Sequence, residues 1–275
     1  MEFRVSNTPQ PAQAGPVILE GKHDGIATLV MNRPDRLNAL NNELAMAVND
    51  ALGRIAGDPS VAVVIITGAG RAFCAGGDLG AMAASRQKGA MHDLEPLLRA
   101  GMQMVLNMRT MPQPVIAVVN GAAAGAGMNI ALAADIRIAS EEASFGQNFA
   151  KVGLFPDYGG TFFLPQLVGP AKAAELFYTG DMIDAKTALA LGLVNKVVPA
   201  AQLEAEVKSL AQKIARGPLL AIRAVKKALF AGHAKELAHA LNNEVEEQIR
   251  CYLSQDCNEG IKAFFEKRPP KFQGK

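Results

Sequence analysis

The stretch VAVVIITGAGRAFCAGGDL, Val61–Leu79, decides the fold of this chain. Val61–Thr67 is rich in β-branched residues and shows no polar alternation, the pattern of a strand covered on both faces. Gly68–Asp78 follows as a glycine-rich turn, and in an open α/β sheet the turns at the carboxyl ends of strands are where ligands bind. The turn begins like a dinucleotide-binding fingerprint, but Phe73 stands where the third glycine belongs.

Towards the N-terminus, Val17–Lys22 and Ile26–Met31 read as two strands joined at His23-Asp24-Gly25, a hairpin signal, and Asn41 is placed to cap a helix to about Ala56. Towards the C-terminus the sequence predicts a helix around Leu94–Met108, a break at Pro112 and Pro114, and a strand over Val115–Val119. A second glycine- and alanine-rich turn, Gly121–Gly127, leads into a helix over about Ala126–Ala134 and a strand over Ile136–Ala139. Alternating strands and helices predict an α/β fold with right-handed crossovers. From Gly160 onward the sequence reads as helical, with stops at Gly169-Pro170, Gly192 and Gly217-Pro218, apart from a short strand over Val194–Val198. Within Lys235–Leu253, the spacing of Leu237, Leu241, Val245 and Ile249 gives a helix an apolar stripe beside Glu244, Glu246 and Glu247. Such a stripe suits packing on the chain's own core or a contact between subunits.

Composition narrows the function. A chain of 275 residues, 49% of them hydrophobic, can bury one large core. Its 28 basic and 26 acidic residues are spread along the chain without the basic stripe that nucleic acid demands, so no nucleic-acid partner is expected. Cys74, Cys251 and Cys257 form neither CxxC pairs nor a His/Cys cluster, which predicts free thiols in a reducing compartment and no metal site. Residues 1–16 read as a flexible leader without the apolar core of a signal peptide, and no apolar run reaches the roughly 18 residues of a bilayer span. No membrane partner and a cytoplasmic location are the expectations. There is no GxSxG or HExxH, and His23, His92, His233 and His239 lack metal spacing; His233 and His239 suit a solvated helix face, and Cys74 a core position. The second glycine turn is similar in spacing to the cofactor loop of short-chain dehydrogenases. The residues four after Tyr158, Tyr178 and Tyr252, however, are Phe162, Met182 and Asp256 where that chemistry needs lysine.

Four motifs together carry a more specific likeness: RPDRLNAL (Arg33–Leu40), GAGRAFCAGGDL (Gly68–Leu79), NGAAAGAGMNIALAADI (Asn120–Ile136) and PDYGGTFFLPQLVG (Pro156–Gly169). In their order and spacing the chain resembles the crotonase superfamily, also called the enoyl-CoA hydratase/isomerase family, over about residues 17–275, and the tail Asn258–Phe272 is similar to the family's last helix and its exit. The resemblance implies a crotonase-like ββα superhelix core over residues 17–200 and a C-terminal helical annex, residues 201–275, that makes a homotrimer or a pair of trimers. It implies an acyl-CoA thioester as substrate, with coenzyme A as part of that substrate and no further cofactor. The thioester oxygen is then held by the main-chain N–H groups of Ala75 and Ala126. Ala126 opens an expected helix, where unpaired N–H groups and the helix dipole favour an anion; the family usually has glycine there, and the N–H survives the change. For the CoA portion the resemblance implies contacts from Arg36, Leu37, Asn38 and Ala39 and from Gly76, Gly77 and Asp78, with Lys267 of the tail near the phosphates.

The two glutamates that hydratases of this family use, one to activate water and one to manage the α-proton, are replaced here by Asn129 and Phe149. One carboxylate stands nearby. Asp157 resembles the acid/base of the branch that includes phenylacetate-pathway epoxide-to-oxepin isomerases and some enoyl-CoA isomerases. Phe149, Leu154, Phe155, Phe162 and Phe163 would raise its pKa if they surround it, while its place ahead of Gly159-Gly160 also suits a turn former or helix cap. A dehalogenase branch pairs such an aspartate with a histidine where this chain has Met102. The expectation is a proton-shuttling acyl-CoA isomerase, with an enoyl-CoA hydratase and a non-catalytic CoA-ester binding protein as alternatives. Gly80–Leu98, expected to line the acyl end, matches no pattern that names the acyl group.

Overall fold

The computed structural model describes residues 15–89 and 94–275. The expected leader falls outside the described residues except for Gly15 and Pro16, and so does His92. The chain opens with a hairpin of β1 (Ile18–His23) and β2 (Ile26–Met31), turned at Asp24 and Gly25, which are both left-handed (φ 51° and 75°). Helix α1 (Asn42–Ala56) follows, its first turn capped by the Asn41 side chain, which accepts from the Leu44 N–H at 2.9 Å.

One pattern then repeats: a long strand, a short strand, and helix. The first pass is β3 (Val63–Gly68), β4 (Ala72–Cys74), α2 (Leu79–Gln87) and α3 (Leu94–Thr110). The second is β5 (Val115–Val119), β6 (Ala122–Ala124) and α4 (Ala126–Ala133), and the third β7 (Ile136–Ser140), β8 (Ser144–Gly146) and α5 (Gly160–Thr179), kinked where Gly169 leaves helical geometry ahead of Pro170. After β9 (Met182–Asp184), α6 (Ala185–Ala190) and β10 (Lys196–Val198) come α7 (Ala200–Ala215), α8 (Leu219–Ala231), α9 (Ala234–Leu253) and α10 (Gln255–Glu266). The long strands form a sheet in the order β1-β2-β3-β5-β7-β10, parallel from β2 on; the short ones form a second sheet, β4-β6-β8-β9, antiparallel only in its last pair.

Alternate residues of β3 and β5 face opposite ways, which explains a run without polar positions. Val64, Ile66, Ala117 and Val119 join the main core, whereas Val63, Ile65, Ile116 and Val118 pack against Leu203, Val207 and Ala211 of α7. Each valine, leucine or isoleucine among them contributes about 1.5–3 kcal/mol by leaving water, so a charged residue on either face of β3 would break the sheet's packing. The C-terminal helices are therefore built onto the core: α7 covers one face of the sheet, and Phe230 of α8 with Leu237 and Leu241 of α9 belongs to the cluster on the other.

Candidate active site

Strands β4 and β6 lie side by side, and the turns after them meet. A Cβ on Gly127 would fall 2.1 Å from the Cys74 carbonyl oxygen; one on Gly76 (φ 92°) would fall 2.8 Å from that of Ala124 and 3.6 Å from the Ala126 nitrogen. The glycines of the two motifs thus let two backbones approach too closely for any side chain.

Ala126 is the first residue of α4, preceded by Gly125 in a conformation that offers no side-chain cap. Its N–H lacks an intrahelical partner and stands at the positive end of the helix. In the facing turn the donors are accounted for one by one. Ala75 N–H donates to the Leu37 carbonyl at 3.0 Å, Gly76 N–H turns towards the Cys74 sulfur, and Asp78 N–H donates to the Leu40 carbonyl at 2.9 Å. The expected role of Ala75 is corrected accordingly, because the Leu37 carbonyl already occupies its N–H. Among the described residues, Gly77 N–H has no acceptor and is the donor this turn leaves over. The sequence did not reveal this, because the Leu37 carbonyl is brought across by a left-handed pair, Leu37 and Asn38 (φ 51° and 57°).

Asn38, fully buried, holds that loop. Its amide donates to the carbonyls of Ala69 (2.9 Å) and Ala72 (2.8 Å), and its Oδ1 accepts from the Arg33 N–H (2.9 Å). The Asp78 carboxylate is engaged locally, pairing with Arg33 Nη2 at 3.0 Å and capping α2 through the Ala81 N–H at 3.1 Å. Leu37, Ala39, Gly76 and Gly77 are gathered at this turn, where Leu40 N–H donates to the Gly76 carbonyl (2.7 Å). Arg36 and Lys267 are exposed, the latter in left-handed conformation at the end of α10. A cavity of about 340 Å³ beside Asp78, lined by Leu40, Met82, Leu94, Leu97 and Tyr252, takes its wall partly from the segment expected to line the acyl end.

One turn along α4, Asn129 Nδ2 donates to the main-chain carbonyl of Asp157 at 2.7 Å, while its Oδ1 accepts from Gln147 Nε2 at 2.7 Å. The Asp157 side chain is buried: Oδ2 accepts from Gln248 Nε2 at 3.1 Å, and Oδ1 has no hydrogen-bond partner among the described residues. Burial pushes its pKa up to about 8, against the Gln248 hydrogen bond and with help from the nearby Glu244 charge. Asp157 does not cap α5, whose N-terminus at Gly159 lacks a cap from its own segment. Phe149 is buried with its ring 3.5 Å from where a Gly125 Cβ would stand, so an aromatic edge lines the start of α4.

The sequence matches the enoyl-CoA hydratase/isomerase family profile over residues 21–275. This chain belongs to that family. A probable enoyl-CoA hydratase of Rhodobacter capsulatus is 42% identical over 255 residues, covering 92% of this chain and 96% of its own. The 1,2-epoxyphenylacetyl-CoA isomerase of Escherichia coli is 37% identical over 259 residues, with 94% and 98% covered. Among solved structures, an enoyl-CoA hydratase from Mycobacterium avium subsp. paratuberculosis has a TM-score of 0.85 at 35% identity, with 94% and 98% covered. The crotonase fold expected from the motifs is therefore the observed one.

In this enoyl-CoA hydratase/isomerase family member, two residues of α9 that the sequence reading did not single out meet the loop that carries Asp157. Glu244 is fully buried and accepts from Gly159 N–H (2.7 Å), Thr161 N–H (2.9 Å) and the Thr161 hydroxyl (2.5 Å); burial raises its pKa to about 7 against those donors. Gln248 is the amide that meets Asp157. A signal was present: Glu244 stands three residues after Leu241 and Gln248 three after Val245, which places both on the stripe's own face. His233 and His239 are exposed, and Cys74 is a core residue whose thiol burial pushes up to about 12. Among the described residues, no helix is long and apolar enough to cross a membrane, and no cluster of His, Cys, Asp and Glu gathers for a metal ion.

Proposed function

We propose that this chain is an acyl-CoA isomerase in which the N–H groups of Gly77 and Ala126 hold a thioester oxygen as it becomes an enolate, while Asp157 lifts a proton from one carbon and returns it to another. The observation that carries the reading is Asp157 Oδ1, among the described residues the one buried carboxylate oxygen without a hydrogen-bond partner. The positions where hydratases of the family place glutamates hold Asn129 and Phe149, and Glu244 is occupied by three donors. One base suffices to move a proton between carbons, whereas hydration must activate water and manage the α-proton as well. Each preorganised N–H donor contributes roughly a hundred- to a thousandfold in rate. A carboxyl with a pKa of about 8 can both accept and return a proton near neutral pH. In this reading the CoA portion lies along residues 36–39 and 76–78 with Lys267 at its phosphates, and the enzyme is a cytoplasmic trimer or pair of trimers. The free thiols of Cys74, Cys251 and Cys257 suit a reducing compartment.

The test supplies a 3-enoyl-CoA and a 2-enoyl-CoA separately and follows double-bond migration against hydration. Migration as the faster reaction, lost in Asp157→Asn with ligand binding retained, is the expected result. The second reading, a hydratase, is favoured by the name of the Rhodobacter relative; hydration outrunning migration would establish it. Absence of both reactions and of solvent deuterium exchange at the α-carbon would leave a binding protein.

A further inference from the structure

Two polar side chains of α9, four residues apart, reach the loop that carries Asp157. Gln248, 2% exposed, accepts from the Phe155 N–H at 2.8 Å and donates from Nε2 to Asp157 Oδ2 at 3.1 Å. The first bond fixes the second. A backbone N–H can be met only by the amide oxygen, so the NH₂ group must face the carboxylate. Glu244, 1% exposed, accepts from the N–H groups of Gly159 and Thr161 at the start of α5. One helix therefore holds the loop at residue 155 and again at 159–161, with Asp157 between, while Asn129 of α4 holds the Asp157 main-chain carbonyl from another side.

An amide NH₂ has protons and no acceptor, so it tolerates Oδ2 only as a bare oxygen; a proton placed there would face another proton. Oδ1 has no such neighbour. Among the described residues, the titratable groups around the carboxyl are Glu244 on α9, Tyr158 in its own loop and Cys74 at the end of β4, none of them a cation. Gln248 is thus the side chain that favours the charged form of Asp157 where the other neighbours oppose it.

We propose that Gln248 is the positioning residue of the proton transfer: by occupying Oδ2 of Asp157 it assigns the travelling proton to Oδ1 and keeps the carboxyl ionised to a lower pH, while Glu244 holds the loop in register with it. The inference rests on Asp157 being the proton carrier, as argued above.

The test is the pH dependence of 3-enoyl-CoA isomerisation by the full-length protein and by Asp157→Asn, Gln248→Met and Gln248→Glu, with each variant's fold checked by chemical denaturation. Gln248→Met keeps the side chain's length and removes the donor. Its acid limb is expected to move up by about one to two pH units, the worth of a hydrogen bond to a charged group, with an about tenfold or larger loss at pH 7 that recovers towards high pH. Gln248→Glu retains an acceptor for Phe155 and sets two carboxyls face to face, so its limb is expected to move up as well, and it decides the matter should the methionine variant not fold. A limb that stays at the wild-type position, or a loss equal at every pH, overturns the role of Gln248. Full turnover by Asp157→Asn removes the proton carrier and ends both readings; an inactive Asp157→Asn beside an unmoved limb in the Gln248 variants ends this one alone.

Discussion

Two aspartates held near opposite ends of α4 live in contrary surroundings. Asp135, just past its C-terminus, has both oxygens filled: Oδ1 lies 3.2 Å from Arg109 Nη1, and Oδ2 accepts from the Val115 N–H at 2.8 Å and Lys226 Nζ at 2.7 Å. Lys226 in turn donates to the carbonyls of Met108 and Gln113, and the neighbouring Arg137 to those of Leu193 and Ala134, so the cations are completed by backbone oxygens. Among the described residues, Asp157 has no cation beside it, one oxygen met by a neutral amide, and one without a hydrogen-bond partner. The chain neutralises buried charge where it ties α3, α8 and the sheet together, and withholds neutralisation at Asp157, the position proposed above to trade a proton.

The contrast is open to four measurements. The largest expected effect is on rate: Asp157→Asn should lower kcat for isomerisation by roughly a hundred- to ten-thousandfold with little loss of stability, as steady-state kinetics and urea unfolding together would read. Asp135→Ala should do the reverse, costing about 3 kcal/mol in urea unfolding by stranding Arg109 and Lys226, while activity per folded molecule persists. The third concerns pH. Because the folded pKa of Asp157 is raised from 3.8 to about 8, the native state binds a proton that the unfolded chain has lost, and stability falls as pH rises through that window. Glu244, raised from 4.5 to about 7, acts in the same direction. Between pH 5 and pH 8 the wild type should therefore lose on the order of 2 kcal/mol more than Asp157→Asn in urea titrations. A variant as pH-sensitive as the wild type would contradict the uncompensated burial of Asp157. The smallest effect is steric. A Cβ on Gly101 of α3 would fall 2.2 Å from the Tyr158 ring, so Gly101→Ala should cost about 1–2 kcal/mol and, by pushing the residue next to Asp157, lower kcat by a smaller factor than the asparagine variant.

Much of this architecture was legible because its strongest elements announce themselves locally. Val115–Val119 and Ile26–Met31 run as expected, since β-branched runs between breakers leave little choice, and Asn41 caps α1 for the chemical reason that suggested it. The second sheet was not legible. Its strands Ala72–Cys74, Ala122–Ala124 and Ser144–Gly146 are three residues long and made mainly of small side chains, because another backbone passes close by; the first two lie inside stretches that read as turns, and the third gave no signal. At the site, motif position singled out Asp157, Ala126 and Ala75, but it could not show that the Ala75 N–H is taken, since which N–H stays free depends on a carbonyl arriving from Leu37. Glu244 was read with the acidic flank of α9, although its spacing from Leu241 placed it inside.

The hold of α9 on residues 155–161 also orders events in time. Both sheets, both glycine turns and Asp157 have been synthesised once Val198 is in place, yet Glu244 and Gln248 come two helices later, near the chain's end. A nascent chain halted after α8 has every strand and no fastening for the loop that carries its carboxyl. A fragment that stops before α9 therefore carries the strands of both sheets without the side chains that fasten residues 155–161.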